Sequence, residues 1–90
     1  MDTEKAELAA AMLSAMANPI RLSILIFLAD EEFSVNAIAS HMGISGSSTS
    51  QHLAKLRTQR LVTARKERQV VYYSCHSKAA HALLRTLDDI

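Results

Sequence analysis

Residues 45–51 place four serines and one glutamine within a single short stretch: Ser45, Ser47, Ser48, Ser50 and Gln51. Hydroxyls and a carboxamide both donate and accept hydrogen bonds, and the short serines let a backbone come close to whatever they touch. Six cations then fall within fourteen residues, namely Lys55, Arg57, Arg60, Arg65, Lys66 and Arg68, a density suited to contact with a polyanion. The net charge of +1 conceals this segregation. Residues 1–32 carry six acids against Lys5 and Arg21, whereas residues 33–87 carry eight bases against Glu67 alone. A basic run by itself can also be a solvated face, so its meaning depends on the scaffold that presents it.

Other chemistries find no support in the residues. No Ser-His-acid, Cys-His or paired-carboxylate set can be gathered on one surface, so catalysis is not expected. Cys75 is the only cysteine, which excludes an internal disulfide. Oxidation could join two copies through it, but that needs exposure and a lowered thiol pKa. Cys75, His76 and His81 could gather a metal only across a dimer, and a strand-end thiol with two surface histidines is the simpler reading. No cofactor, metal or small-molecule ligand is expected.

The elements that must position the polar stretch can be read from periodicity and caps. Thr3 is placed to cap a first helix whose apolar positions Leu8, Met12, Ala15 and Met16 recur at helical spacing, widened by Ala9 and Leu13. Asn18 before Pro19 predicts the start of a second helix running to about Ala29 and buried nearly all round. Ser34 predicts the cap of a short third helix with Val35, Ile38, Ala39 and Met42 on one face. Gly43 suits the left-handed residue that ends it, Ile44 can plug the corner, and Ser45 can cap the next helix, residues 45–59. At 100° per residue, Thr49, Leu53 and Leu56 face one way and Ser47, Gln51 and Lys55 the other, with Ser48 at the flank.

Beyond that helix the pattern turns to β-branched and aromatic residues. Residues 62–66 and 69–74 predict a hairpin with the charged tip Glu67 and Arg68. Without Gly or Asn at the turn, a loop longer than two residues is expected. Ser77 can cap a last helix carrying Ala80, Leu83, Leu84, Leu87 and Ile90. The fold class is therefore mainly α with a β-hairpin wing: about five helices plus a two-stranded hairpin in one domain, residues 1–90.

Helix, tight turn, helix and hairpin together describe a winged helix-turn-helix, whose second motif helix enters the major groove of duplex DNA. On this layout the candidate DNA contacts are Ser45, Ser47, Ser48, Ser50, Gln51, His52 and Lys55 on the helix, with Arg65, Lys66 and Arg68 on the wing. Gln51 can match adenine or reach a phosphate. His52, partly inward on the wheel, is open to three uses: reading DNA, touching a phosphate, or packing beside Leu53 and Leu56. Arg21, in an otherwise apolar helix, suits an ion pair or a helix-end cap better than DNA. The rival function is a winged-helix adaptor that docks proteins and has incidental affinity for DNA.

NPIRLSIL at residues 18–25 and ISGSSTSQHLAKLR at residues 44–57 resemble the ArsR family of bacterial regulators, and the likeness continues through Leu61, Val62 and the Val71, Tyr72, Tyr73 strand. Within that family LSAMANP at residues 13–19 is most similar to the nodulation-repressor type of rhizobia. The resemblance implies a homodimer built from the first and last helices, which binds a pseudo-palindromic operator and blocks transcription. The expected interface residues are Leu8, Met12, Leu13 and Met16 with Leu83, Leu84 and Leu87. Gly46 stands where many relatives carry Gln, which removes one base-reading side chain, and Thr49 stands where an apolar residue is usual. Thr49 is expected to point inward and return its hydroxyl to the helix backbone. Segment 32–38 lacks the cysteines that family metal sensors use, and the last helix offers only His81, Asp88 and Asp89 at unsuitable spacing.

Composition agrees with a folded domain, since 49% of residues are hydrophobic and 21% charged, too apolar for disorder. Asp2, Glu4 and Glu7 stand where a secretory signal needs positive charge, so a cytoplasmic, nucleoid-associated protein is expected. Residues 8–20 include Asn18 and Pro19 and fall short of the roughly 20 apolar residues a membrane span requires.

Overall fold

The computed structural model describes all residues, Met1–Ile90. In chain order the elements are α1 (Thr3–Met16), α2 (Pro19–Phe27), β1 (Phe33–Ser34), α3 (Val35–Met42), α4 (Gly46–Thr58), β2 (Thr63–Glu67), β3 (Val70–Ser74) and α5 (Lys78–Leu87). No single helix is long and apolar enough to cross a membrane.

Side-chain caps set most of the boundaries. Asp2, rather than the expected Thr3, caps α1, its Oδ1 accepting from the Lys5 amide at 2.7 Å. Its carboxylate also complements the positive helix end, which a threonine hydroxyl does not. Asn18 is extended, as the residue before a proline must be. Its Oδ1 accepts from the amides of Ile20 and Arg21 at 3.0 and 3.1 Å. Because α2 starts afresh on Pro19, its axis turns by 89° from that of α1. Ser34, Ser45 and Ser77 cap α3, α4 and α5 through Ala37, Ser48 and Ala80, each at 3.1 Å.

The turn between α3 and α4 closes on itself. Gly43 takes φ +68°, its amide donates to Ser40 O, and the Ile44 amide reaches back to Ala39 O at 3.2 Å. The end of α4 repeats this pattern without a glycine: Arg60 sits at φ +57°, its amide donates to Arg57 O, and the Leu61 amide donates to Leu56 O at 3.0 Å. Leu56 and Leu61 are both buried, which is the apolar contact that accompanies such helix ends and here holds an arginine in a conformation better suited to glycine.

The core lies where α2, α3 and α4 meet. Ile24 and Leu25 of α2 and Leu28 just after it pack with Ile38 of α3, Leu53 and Leu56 of α4, and Leu61 and Val62 beyond it, all essentially without solvent exposure. Thr49 is also fully buried, and its Oγ1 donates to Ser45 O at 2.8 Å, as its type and position predicted. Two expectations for α2 need correction. It ends at Phe27, two residues before Ala29, and it is not buried all round, because Ile26 is 60% exposed. Met16, expected at the interface, is only 4% exposed in the single chain and packs in that chain's own core. The helix α5 stops at Leu87, so Ile90 does not extend its stripe and lies fully in solvent.

The wing is a three-stranded antiparallel sheet in the order β1-β3-β2, not the two-stranded hairpin expected. Phe33 and Ser34 pair with Tyr73 and Tyr72, so two residues of β1 tie the wing to the start of α3. A two-residue strand is too short to show alternation, which is why the pattern did not reveal it. The turn at the tip is also shorter than expected. Glu67 pairs with Val70 across Arg68 and Gln69, and Arg68 meets the demand for positive φ at +58° without glycine or asparagine.

The two left-handed helix ends predict opposite mutational signs. A Cβ at Gly43 would meet nothing within 4 Å, so Gly43→Ala suffers from backbone strain alone and should lower stability by about 1 kcal/mol. Arg60→Gly should raise it by about 0.5–1 kcal/mol, because released strain exceeds the extra chain entropy of glycine. Urea unfolding at fixed protein concentration, with an unchanged slope, checks both.

Candidate nucleic-acid interface

The α4 helix has one face committed to the core. With Thr49, Leu53 and Leu56 buried, Ser47, Ser50, Gln51 and Lys55 are left exposed on the other side, together with Ala54, Arg57 and Thr58. The outward ridge is flat and polar for two turns, which suits close approach to base edges. At its start, Ser45 Oγ accepts from the Ser48 amide and lies 3.3 Å from Ser47 Oγ. Ser45 therefore works as a cap, and Ser48 is half-buried beside it. Gly46 is exposed, and a side chain there would meet open space.

His52 occupies the flank of α4 that faces the corner between α1 and α2, and it is half-buried. Its Nδ1 lies 3.5 Å from Nη1 of Arg21. Arg21 also donates from Nε to Ala15 O at 2.6 Å and from Nη2 to Ser14 O at 3.4 Å. The last turn of α1 has no basic residue of its own, and Arg21 supplies one from α2, capping its carbonyls as anticipated. Burial, then the positive charges of Arg21 and Lys55, hold the His52 imidazole below its ordinary pKa.

On the wing, three cations expected to be free divide into two kinds. Lys66 and Arg68 are exposed and carry no ion pair. Arg65 is engaged: its Nε lies 2.9 Å from Oε2 of Glu32, its Nη2 pairs with the same carboxylate, and its Nη1 donates to Glu67 at 2.8 Å. Its guanidinium also lies 4.7 Å from the ring centroid of Tyr72, its cross-strand neighbour. The Arg65 hydrogen bond holds the Glu32 carboxyl below its ordinary pKa. Sequence reasoning missed Glu32 and Tyr72 because the acid lies 33 residues away in the chain. Only strand register signals the second contact. Arg57, exposed on α4, is a further cation left out of the expected set.

Near the start of α5 the thiol and one imidazole are drawn into the packing. Cys75 is buried, and burial pushes its thiol pKa up. This is the reverse of what disulfide exchange between subunits requires. His81 Nε2 lies 2.7 Å from Cys75 O, a bond that ties α5 to the end of β3.

Comparison with known proteins agrees with this arrangement. The profile described as "Bacterial regulatory protein, arsR family" matches residues 18–64. The nodulation protein NolR of Rhizobium meliloti is 53% identical over 87 residues, covering 97% of this chain and 71% of its own. The crystal structure of NolR from Sinorhizobium fredii superposes with a TM-score of 0.91 at 48% identity, over 99% of this chain and 92% of that one. A solution structure from Mycobacterium bovis, described as a homodimeric winged helix-turn-helix DNA-binding domain, gives a TM-score of 0.86 at 32% identity over 99% of this chain and 85% of its own. The matched stretch holds both helices of the motif and runs into the wing, and a relative shares half the residues over nearly all of this chain, so the chain belongs to the arsR family of bacterial regulatory proteins.

Proposed function

We propose that the protein acts in the bacterial cytoplasm as a homodimeric, sequence-specific repressor, setting its two α4 helices into successive major grooves of a pseudo-palindromic operator. The observation that carries this reading is the exposed ridge of Ser47, Gln51 and Lys55, backed by fully buried Thr49, Leu53 and Leu56. Within it Gln51 reads a base, and Ser47 and Ser50 accept close backbone approach. Ser45 and Ser48 order the amides at the helix start toward a phosphate, and Lys55 neutralises another. Lys66 and Arg68 reach the flanking backbone from the wing. Arg65 plays a smaller part, because Glu32 and Glu67 already neutralise it.

Dimerisation has its own support. Leu8 and Leu13 on α1 are 69% and 47% exposed, with Met12 half-buried between them, and Leu87 of α5 is exposed beside the half-buried Leu83 and Leu84. Such surface is unfavourable on a lone chain and is covered if two copies meet through α1 and α5. A dimer would set its α4 helices about 34 Å apart, one turn of DNA. Repression follows from occupancy, since a dimer lying along one face of a promoter excludes polymerase without further machinery.

Selection from a pool of randomised duplexes of about 30 base pairs would supply an operator for testing. Gln51→Ala should lower the preference for that duplex over its scrambled control by roughly 1–3 kcal/mol. Lys66→Ala should weaken both duplexes alike and reduce the salt slope by about one, whereas Arg65→Ala should change that slope less. Equal wild-type binding of selected and scrambled DNA would favour the protein-adaptor function. In sedimentation, Leu13→Glu should shift a dimer toward the 9.9 kDa monomer, and a wild type that is monomeric at every concentration would remove the dimer from the mechanism.

A further inference from the structure

We infer that His52 is a neutral hydrogen-bond donor to the DNA backbone, fixed in one ring orientation and one tautomer by Arg21, which makes Arg21 a positioning residue for the interface. The inference rests on the DNA-binding function proposed above and assigns a role to a residue whose type and helix position left three uses open.

The geometry runs outward from α1. Two nitrogens of the Arg21 guanidinium are spent on the carbonyls of Ala15 and Ser14, which fixes the plane of the group. The third, Nη1, faces Nδ1 of His52 across 3.5 Å. A guanidinium has only N–H groups and remains charged at any physiological pH, so Nδ1 must present its lone pair. The ring proton therefore sits on Nε2. A proton on Nδ1 would set two donors, and in the imidazolium two cations, against each other. The charged groups facing the ring are Arg21 from α2 and Lys55 from α4, and no carboxylate is paired with it.

Nε2 has no hydrogen-bond partner within the chain, yet no buried side-chain nitrogen or oxygen is left unsatisfied. The Nε2–H bond therefore opens to solvent. On the α4 wheel His52 lies one turn from Ser48 and one from Lys55, along the flank and off the outward ridge of Ser47 and Gln51. A helix seated in the major groove turns its ridge to the bases and its flanks to the sugar-phosphate walls. A donor on the flank therefore meets a phosphodiester oxygen. Being neutral, it adds a hydrogen bond without releasing a counterion.

Two measurements test this on the intact protein. Nitrogen-15 NMR of the free protein at neutral pH should show His52 as the neutral Nε2–H tautomer, and Arg21→Met should convert it to a tautomer mixture with a raised pKa. A wild-type ring protonated on Nδ1, or charged, overturns the positioning role. In DNA binding, His52→Ala should weaken the selected and the scrambled duplex by a similar factor of about 3–10 and leave the salt slope unchanged. His52→Gln, whose carboxamide nitrogen can occupy the place of Nε2, should recover part of the loss. A loss confined to the selected duplex, a salt slope lowered by about one, or no loss at all each overturns the assignment. Wild-type protein that binds neither duplex would instead sink the DNA-binding function itself.

Discussion

Helix α4 can bury only one of its faces. Thr49, Leu53 and Leu56 are its sole residues free of solvent, and they fit against Ile24 and Leu25 of α2, Leu28 at its end and Ile38 of α3. Turning the helix by even one residue would replace Leu53 and Leu56 in that core by His52 and Lys55, or by Ala54 and Arg57, at a cost no other contact on α4 could offset. The polar ridge is therefore outward because the leucines are inward. Thr49 shows how tightly the seat is defined, since a hydroxyl tolerates full burial only by donating to Ser45 O one turn back.

The electrostatic layout follows from the same frame. Three acids, Asp30, Glu31 and Glu32, collect in the segment leading to β1, bases on α4 and the wing, and the sheet pairing of Phe33 and Ser34 with β3 brings the two groups together at one point. There Glu32 engages Arg65, so one cation of the basic block serves the architecture of the wing. At the opposite side Arg21 serves the corner of α1 and α2 and orders the ring of His52. What is left, Lys55, Arg57, Arg60, Lys66 and Arg68, is a smaller positive surface than composition alone suggests, and its position along α4 and the wing matters more than its number.

Local strain marks where this scaffold is held together by packing against local preference. Arg60 and Arg68 both adopt positive φ. At Arg60 the buried pair Leu56 and Leu61 closes the helix end, and at Arg68 the register of β2 against β3 closes a two-residue turn. In each case tertiary or cross-strand contact outweighs a penalty of roughly 1–2 kcal/mol that a glycine would have avoided. Charge is thereby retained at both places, at the end of the helix and at the tip of the wing.

Much of the molecule is written in local chemistry. The caps Asn18, Ser34, Ser45 and Ser77, the proline at the head of α2 and the left-handed Gly43 act within four residues of themselves, so their types and spacing alone determine where helices start and stop. The 3.6-residue period likewise settles which side of α4 is dry. Tertiary structure decided what depends on distance along the chain: the third strand at Phe33, the diversion of Arg65 to Glu32, the burial of Met16 and Cys75, and the alignment of Arg21 with His52. Those pairings join residues that have no preference for one another until the core brings them within a few ångströms, and short-range interactions of this kind leave no periodicity or motif in the sequence.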